Sequence, residues 1–199
     1  MADTLDVIAV EDLADVAWFP DSKQPLLASW LTGVSRTLDV VLGPIVQRAV
    51  TDQLDGGREV VLLSKWPIAT FTSVTEYSGS ASTVLTAESP GTISGNRYLL
   101  SDGGILRRRN GGGDMCWAAG RRNFFVAYNA GRYADTGSID ARYTTAALMM
   151  LRNLVTRELS GGTATFGGPE ITFPGATYAV PRAVLEMFPD EVQNAPGIG

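Results

Sequence analysis

Between Arg58 and Glu76 the chain reads REVVLLSKWPIATFTSVTE, and this stretch constrains the fold more than any other. Val60, Leu62 and Ser64 point one way and Val61, Leu63 and Lys65 the other, because successive side chains alternate across a strand. Pro67 has no N–H for a ladder and holds Trp66 extended, so a bend falls at Trp66-Pro67. Beyond it Ile68, Thr70, Thr72 and Val74 alternate with Ala69, Phe71, Ser73 and Thr75. The density of β-branched residues suits a half-buried sheet. No side chain in the stretch carries obvious chemistry, which points to an assembly part rather than a catalyst.

The flanks supply helices and further strands. A small helix is expected near Val10–Ala17, with Glu11 and Asp12 in its first turn, ended by Phe19-Pro20. Asp21 or Ser22 can cap a second helix that carries Pro25 in its first turn. Its apolar stripe is Leu27, Trp30, Leu31, Val34, Leu38 and Val41, and Gly43-Pro44 stops it. Ile45–Leu54 reads as a first strand, and Asp55-Gly56-Gly57 is a hairpin signal. The Ser/Thr/Gly-rich run after Glu76 reads as a surface loop or weak hairpin. Tyr98–Leu100 and Ile105–Arg107, around Ser101–Gly104, read as a tight hairpin, and Asn123–Tyr128 as the last strong strand, broken by Asn129–Gly131. Ser138 is expected to open the longest helix, running to Leu159 with Tyr143, Ala147, Met150, Leu151, Leu154 and Val155 as its apolar arc and Gly161-Gly162 as its end. Arg152 and Arg157 toward its end suit the dipole, and Met149-Met150 reads as gap-filling core. Thr163–Phe166 and Ile171–Phe173 can form a small hairpin. Pro181–Phe188 reads as a last short helix with Val184, Leu185 and Phe188 as its face, and 189–199 as a tail with little to bury. Helices, then several strands, then a long and a short helix make the chain α+β, with a central, mostly antiparallel sheet.

Composition removes several function classes. At 199 residues the chain is long enough for one good core, and its net charge of −5 does not advertise a phosphate-gripping surface. Of the 16 basic residues only Lys23 and Lys65 are lysines; the arginine excess fits fixed interface contacts, or simply a high-GC genome. There is no histidine, so Ser-His-Asp triads and the common zinc sites are out, and the single Cys116 allows no intrachain disulfide. Without a histidine partner Cys116, beside Trp117, reads as a small packing residue. Arg107–Arg109 next to the glycine-rich NGGGDM run admits two readings, a phosphate contact or a solvated strand end before a flexible loop. No helix follows the glycines and no Lys-Ser/Thr pair completes a P-loop, so the second is preferred. Acids at Glu11/Asp12, Asp135/Asp140 and Glu186/Asp190/Glu191 are scattered and read as solvated charge. No cofactor or metal site is expected. An acidic start without a basic n-region and no apolar run longer than Ala146–Leu151 near the major helix imply no export signal and no membrane partner. Synthesis in the host cytoplasm is the expectation, with departure only inside a larger particle.

The order of motifs resembles the head–tail connector (adaptor) family of long-tailed bacteriophages. A strand ending in an aromatic-Pro at Trp66-Pro67 is followed by a TSVTE strand at Thr72–Glu76. A G-L-R hairpin at Gly104–Arg107, an aromatic strand closing at Tyr128–Gly131 and a P-R-x-V helix at Pro181–Val184 come next. The resemblance spans roughly residues 22–188. It implies a non-enzymatic virion protein at the head–tail junction: residues 1–188 as a single connector domain and 189–199 as a tail that orders on a partner. Copies of such a protein form a ring, commonly a dodecamer, between the portal protein and a stopper or tail-tube-side protein. Double-stranded DNA passes through the lumen without specific binding. The family's C-terminal segment reaches the portal, which assigns portal binding to Pro181, Arg182, Val184, Leu185, Phe188, Pro189, Val192, Pro196 and Ile198. A tail-terminator or stopper is the neighbouring reading within the same particle. A small carboxylate-dependent glycan hydrolase and a host binding module are readings from other classes.

Overall fold

A computed structural model describes residues 5–9, 13, 24–89, 95–101, 104–159, 170–174 and 176–192. The chain forms two compact units, one of Met1–Gln47 with Tyr133–Gly199 and one of Arg48–Arg132. Together they bear out an α+β fold with a mostly antiparallel, curled sheet.

Every named element of the Arg48–Arg132 unit among the described residues is a strand. Its elements are β1 (Arg48–Leu54), β2 (Val60–Leu62), β3 (Ile68–Ser78), β4 (Ala81–Ala87), β5 (Asn96–Ser101), β6 (Ile105–Asn110), β7 (Gly113–Met115) and β8 (Phe124–Ala130). They lie in the order β1-β8-β3-β4-β5-β6-β2, with β7 also on β6. Every pairing is antiparallel except a short parallel contact at Thr86–Arg97 and Ala87–Tyr98. Register shifts between Ile68 and Thr70 and between Phe71 and Ser73 put irregularities into the β3–β8 pairing, which bend a strand and help the sheet curl. The bend at Trp66-Pro67, a cis peptide bond, separates β2 from β3 as expected. The core on the inner face takes Val61 and Leu63 from one side of that bend and Val74 from the other, with Leu85, Leu106 and Val126. Trp117 stacks on Phe124 at 4.4 Å and 8°. Burying a side chain of this size contributes roughly 1.5–3 kcal/mol. Among the described residues Trp117 Nε1 is the one buried side-chain polar atom without a partner.

Three expectations change here. Asp55-Gly56-Gly57 does not join a hairpin, since β1 and β2 lie at opposite ends of the strand order. Gly56 serves close approach instead. Its N–H lies 2.9 Å from Gly120 O and 2.8 Å from Asn123 Oδ1, and a Cβ would stand 1.8 Å from Ala118 O. Of the two readings of the run after Glu76 the hairpin is the one that stands, β3 and β4 turning at Gly79-Ser80, whereas NGGGDM is the β6–β7 hairpin rather than a flexible loop. The last strand continues through Asn129 to Ala130, because both residues pair with β1 and β3. The β5–β6 hairpin stands, although Asp102 and Gly103 of its turn lie outside the described residues.

The other unit packs α1 (Gln24–Leu42) and α2 (Ala141–Leu159) with β9 (Glu170–Ile171), β10 (Val180–Pro181) and α3 (Arg182–Glu186). The predicted stripe of α1 is its inner face. Leu27, Leu31, Val34, Leu38 and Val41 are buried, and Trp30 packs at their margin. Tyr143, Ala147, Met150, Leu151 and Val155 of α2 join the same core, with Met149 and Leu154 at its edge. Gly43, at φ 80°, ends α1, and Asp39 Oδ1 accepts from Ile45 N at 2.9 Å. Ser138 does not open α2. It closes a separate 3-10 turn, Thr136–Ser138, by a reciprocal capping pair with Asp135, and α2 begins at Ala141 with the same length as α1, 19 residues. Ile171 pairs with Val180 in a two-residue ladder. The hairpin expected from Thr163–Phe166, the Gly161-Gly162 stop, the caps Asp21 and Ser22 and, Leu13 apart, the Val10–Ala17 helix with Phe19-Pro20 lie outside the described residues.

Candidate functional site

The C-terminal segment is built onto α2 by one aromatic and ionic cluster. Tyr143 lies on the buried face of α2 because 143, 147 and 151 recur at helical spacing. Its ring meets Phe188 at 4.8 Å and Tyr133, edge to face, at 5.5 Å. Arg142, one residue earlier, places its guanidinium 4.8 Å from the Phe188 ring and donates to Glu191 Oε1 at 2.7 Å. Glu191 Oε2 accepts from the Tyr143 hydroxyl. Burial opposes the Arg142 charge, but Glu191, Tyr143 and Asp140 together outweigh it and raise the pKa. Glu170, on β9, accepts from Asn153 Nδ2 and pairs with Arg157 at 2.9 Å, which ties the small ladder to the same helix.

This geometry sorts the residues assigned to portal binding. Pro181, Val184 and Phe188 are buried in the chain's own core, and Leu185 and Val192 pack partly against it. Arg182 and Pro189 are exposed, Arg182 paired with Glu186 at 3.0 Å along the helix surface. Pro196 and Ile198 lie outside the described residues. The buried members anchor the segment, and the exposed ones are those a partner can touch. Arg142 and Glu191 complete the anchor; Arg142 was not singled out from sequence, and Glu191 is bound to Arg142 and Tyr143 rather than the solvated charge it was expected to be, because an arginine beside a helix's aromatic position gives no signal of what lies 49 residues on.

The arginine triplet is neither a phosphate grip nor a solvated strand end. Arg108 lies in the same strand phase as Leu106 and is therefore turned inward, 3 % exposed. Its Nε lies 3.2 Å from Glu76 Oε2, and its other nitrogens donate to Arg109 O at 2.6 Å and Asn96 Oδ1 at 2.8 Å. Glu76 Oε1 accepts from Ala118 N at 2.6 Å. Arg109 pairs with Glu88 at 2.8 Å and Asp114 at 2.5 Å, and these carboxylates raise its pKa. Arg107 is within 3.5 Å of Asp114. The triplet is thus bound to carboxylates of its own unit.

A second buried polar node bridges β1 to the segment after β2. Asp52 shares the phase of Val50 and Leu54, so its carboxylate enters the unit. It accepts from Ser64 N at 2.7 Å, Ser64 Oγ at 2.5 Å and the Tyr128 hydroxyl at 2.9 Å. Burial and the Asp52 carboxylate, partly offset by Ser64 and Lys65, push the Tyr128 phenol up to about 12. Asp52 and Glu76 escaped the sequence reading and Arg108 was misread with its triplet, yet each announces itself as a charge in the apolar phase of a strand.

The remaining acids have structural tasks. Asp135 caps the 3-10 turn, Asp140 Oδ1 accepts from Arg142 N at 2.8 Å, and Glu186 pairs with Arg182. Asp190 is exposed, and Glu11 and Asp12 lie outside the described residues. Among the described residues no three His, Cys, Asp or Glu side chains gather where a metal could bind. Cys116 is exposed, not a packing residue, because the β6–β7 hairpin leaves it outside while its neighbour Trp117 turns in. Among the described residues no helix is long and apolar enough to cross a membrane.

No family profile matches the chain, and no curated protein matches it. Among solved structures it is similar to a chain in the neck of an empty GTA particle computed with C6 symmetry. The similarity covers 96% of this chain and 93% of that one, at 15% sequence identity and a TM-score of 0.52. At that identity the likeness is one of fold, and it runs through both units.

Proposed function

We propose that this protein is a structural neck component of a phage-like particle, a head-to-tail adaptor. The carrying observation is the fold shared, along nearly the whole of both chains, with a protein from a particle neck. In this reading residues 1–188 act as one connector body, copies of it form a ring at the head–tail junction, and the role is not catalytic. The order of motifs from Trp66-Pro67 to Pro181–Val184 supports the finer assignment, a ring of about twelve copies between the portal and the tail-side protein. Symmetry of the neighbour's neck supports rotational assembly, in which each copy presents two different surfaces. The net charge of −5, with Arg108 and Arg109 bound to their own carboxylates, suits a channel that must let DNA slide, since each free cation on phosphate adds salt-dependent grip.

The exposed residues of Pro181–Val192 and the tail beyond are the proposed portal-docking surface. Glu191 and Val192 belong to the anchor, so the informative truncation falls after Val192, not after Phe188. The full chain and the truncated chain are each mixed with the portal protein of the same genome and imaged by electron microscopy. The full chain is expected to cap the portal with a ring, and the truncated chain, still folded by circular dichroism, to leave it bare. A bare portal with the folded full chain at high concentration overturns the adaptor reading and moves weight to a tail-side protein. Normal capping by the truncated chain removes 193–199 from the docking surface.

A further inference from the structure

Among the described residues the outer edges of β1, β2 and β7 and of the first half of β4 pair with no strand; those of β2 and β4 differ in place but match in chemistry. The first is β2. Glu59 O accepts from Arg108 N, and Leu63 N donates to Gly104 O, so 59, 61 and 63 face β6. The backbone groups of Val60 and Leu62 therefore point away from β6, because hydrogen-bonding direction alternates along an antiparallel strand. The second is the first half of β4. Tyr77 N donates to Asn123 O, so 74, 76 and 78 face β4 and pair with Leu85, Thr83 and Ala81. Ser82 and Val84 then direct their backbone groups outward, and β5 meets β4 only later, at Thr86 and Ala87.

Native proteins blunt free edges with charge, proline or bulges. Neither edge here is blunted: β2 reads VVL and the free part of β4 reads ASTVL, with no charge and no proline. Each edge also carries a large exposed apolar side chain, Leu62 at 65% and Val84 at 67%. Both lie on the outer face, since Val61 and Leu85 take the core positions beside them. Space exists along β2: a groove of about 650 Å³ runs between it and the end of β1, with Leu54, Asp55, Arg58, Val60, Leu62 and Ile105 among its lining residues. Within one copy the two edges lie on different strands of a single path and do not meet.

We propose that β4 of one copy adds as a strand to the β2 edge of the next, continuing the sheet from subunit to subunit. The occupant is thus a second copy of this chain. The pairing is heterologous, as rotational closure of a ring requires, and the uncharged arm enters the groove without stranding a charge there. Val84 then lies on the same outer face as Val60, Leu62 and Ile105, as the phase of a continued sheet demands. The inference rests on the ring reading above.

In a Cys116→Ser background, Leu62→Cys and Val84→Cys are introduced together into the full chain, which is assembled on its portal and treated with a short bis-maleimide. Expected is a ladder of covalent multimers on denaturing gels, and dimers when the two single-cysteine chains are mixed. Rings visible by electron microscopy without any cross-link overturn the edge pairing and leave the adaptor reading standing. Multimers from Val84→Cys alone overturn it as well, in favour of β4 against β4. No ring and no cross-link, with folded protein, remove both readings.

Discussion

The helical unit and the strand unit are held together by different means. Around α1 and α2 the interior is mainly Leu, Val, Ala and Met with Tyr143 and Phe188; Asp6, Ser35, Thr37 and Asn153 are buried beside it as hydrogen-bonded polar groups, and the ion pair Arg142–Glu191 lies at its margin. In the Arg48–Arg132 unit, aromatic and aliphatic side chains share the interior with the Glu76–Arg108 pair and the Asp52–Ser64–Tyr128 node. The difference follows from shape. A helix buries one stripe and satisfies its own backbone. A curled sheet leaves segments between its strands outside the ladders, here the turns after β1 and β2 and the 116–123 loop, and polar side chains reach in to bind them. Asp52 does this for Ser64 N, Glu76 for Ala118 N and Asn123 for Gly56 N.

The largest test of that contrast is Arg108→Ala. It leaves the Glu76 carboxylate buried and unpaired, and the expected loss is about 3–5 kcal/mol in urea unfolding. The double variant Glu76→Gln with Arg108→Met keeps an acceptor for Ala118 N and removes both charges. It should recover to within about 1 kcal/mol of the parent, because a buried pair gains little over a well-packed neutral one. A double variant as unstable as the single would show that the pair itself is required, and would bring the strand unit's core closer to a specific ionic lock.

The same contrast decides what was legible in the sequence. Leu27, Leu31, Val34, Leu38 and Val41 announced a helix face because period 3.6 is redundant over 19 residues, and that face is the core. Before Trp66-Pro67 the alternation at period 2 held, with Val61 and Leu63 inward; after it the two register shifts broke the expected alternation and put Phe71 on the core side with Ile68 and Val74, while Thr70 and Thr72 are exposed. Pairing was not legible. Asp55-Gly56-Gly57 has hairpin composition, yet whether β1 turns back on β2 or crosses to β8 depends on residues 124–130, far along the chain. The arginine triplet misled because charge was read as exposure, whereas strand phase had already placed Arg108 with Leu106. At the C-terminal anchor the apolar face was legible, but its use was not, since an amphipathic helix of this size fits a partner or its own core equally well until Tyr143 is seen against Phe188.

A smaller effect appears with pH and is largest at Tyr128; burial raises the phenols of Tyr98 in the same unit and Tyr178 in the helical unit in the same direction. The Tyr128 phenol is raised from 10.0 to about 12 in the folded chain, chiefly by burial. Its proton is held by the folded state and lost first by the unfolded one. The contribution is therefore complete below pH 10 and lost as pH climbs from 10 to about 12, on the order of 2 kcal/mol in all. Chemical unfolding across that window should show the slope in the parent, and Tyr128→Phe should flatten it while lowering stability at neutral pH by about 1 kcal/mol through the lost hydrogen bond to Asp52. A slope unchanged in the variant would place the titrating group elsewhere.

The smallest stability effect carries the sharpest functional contrast, at Arg182. Its guanidinium is largely exposed and meets Glu186 in an i,i+4 pair on the surface of α3, an arrangement worth at most about 0.5 kcal/mol. Val184 and Phe188, two and six residues on, are core. Arg182→Ala should leave the unfolding midpoint where it is. If the exposed side of this segment meets the portal, the same change removes a planar, multiply hydrogen-bonding side chain from an interface, where arginine is often among the few residues that dominate affinity. Binding to the portal protein, followed by light scattering or surface capture, should then weaken about tenfold or more, corresponding to roughly 1.4 kcal/mol or above. Unchanged binding would take Arg182 off the docking surface and leave Pro189 and the residues beyond Val192 as its remaining members. A loss of stability along with binding would mean that Arg182 anchors the segment after all, and that anchor and contact are not divided between the two faces of α3.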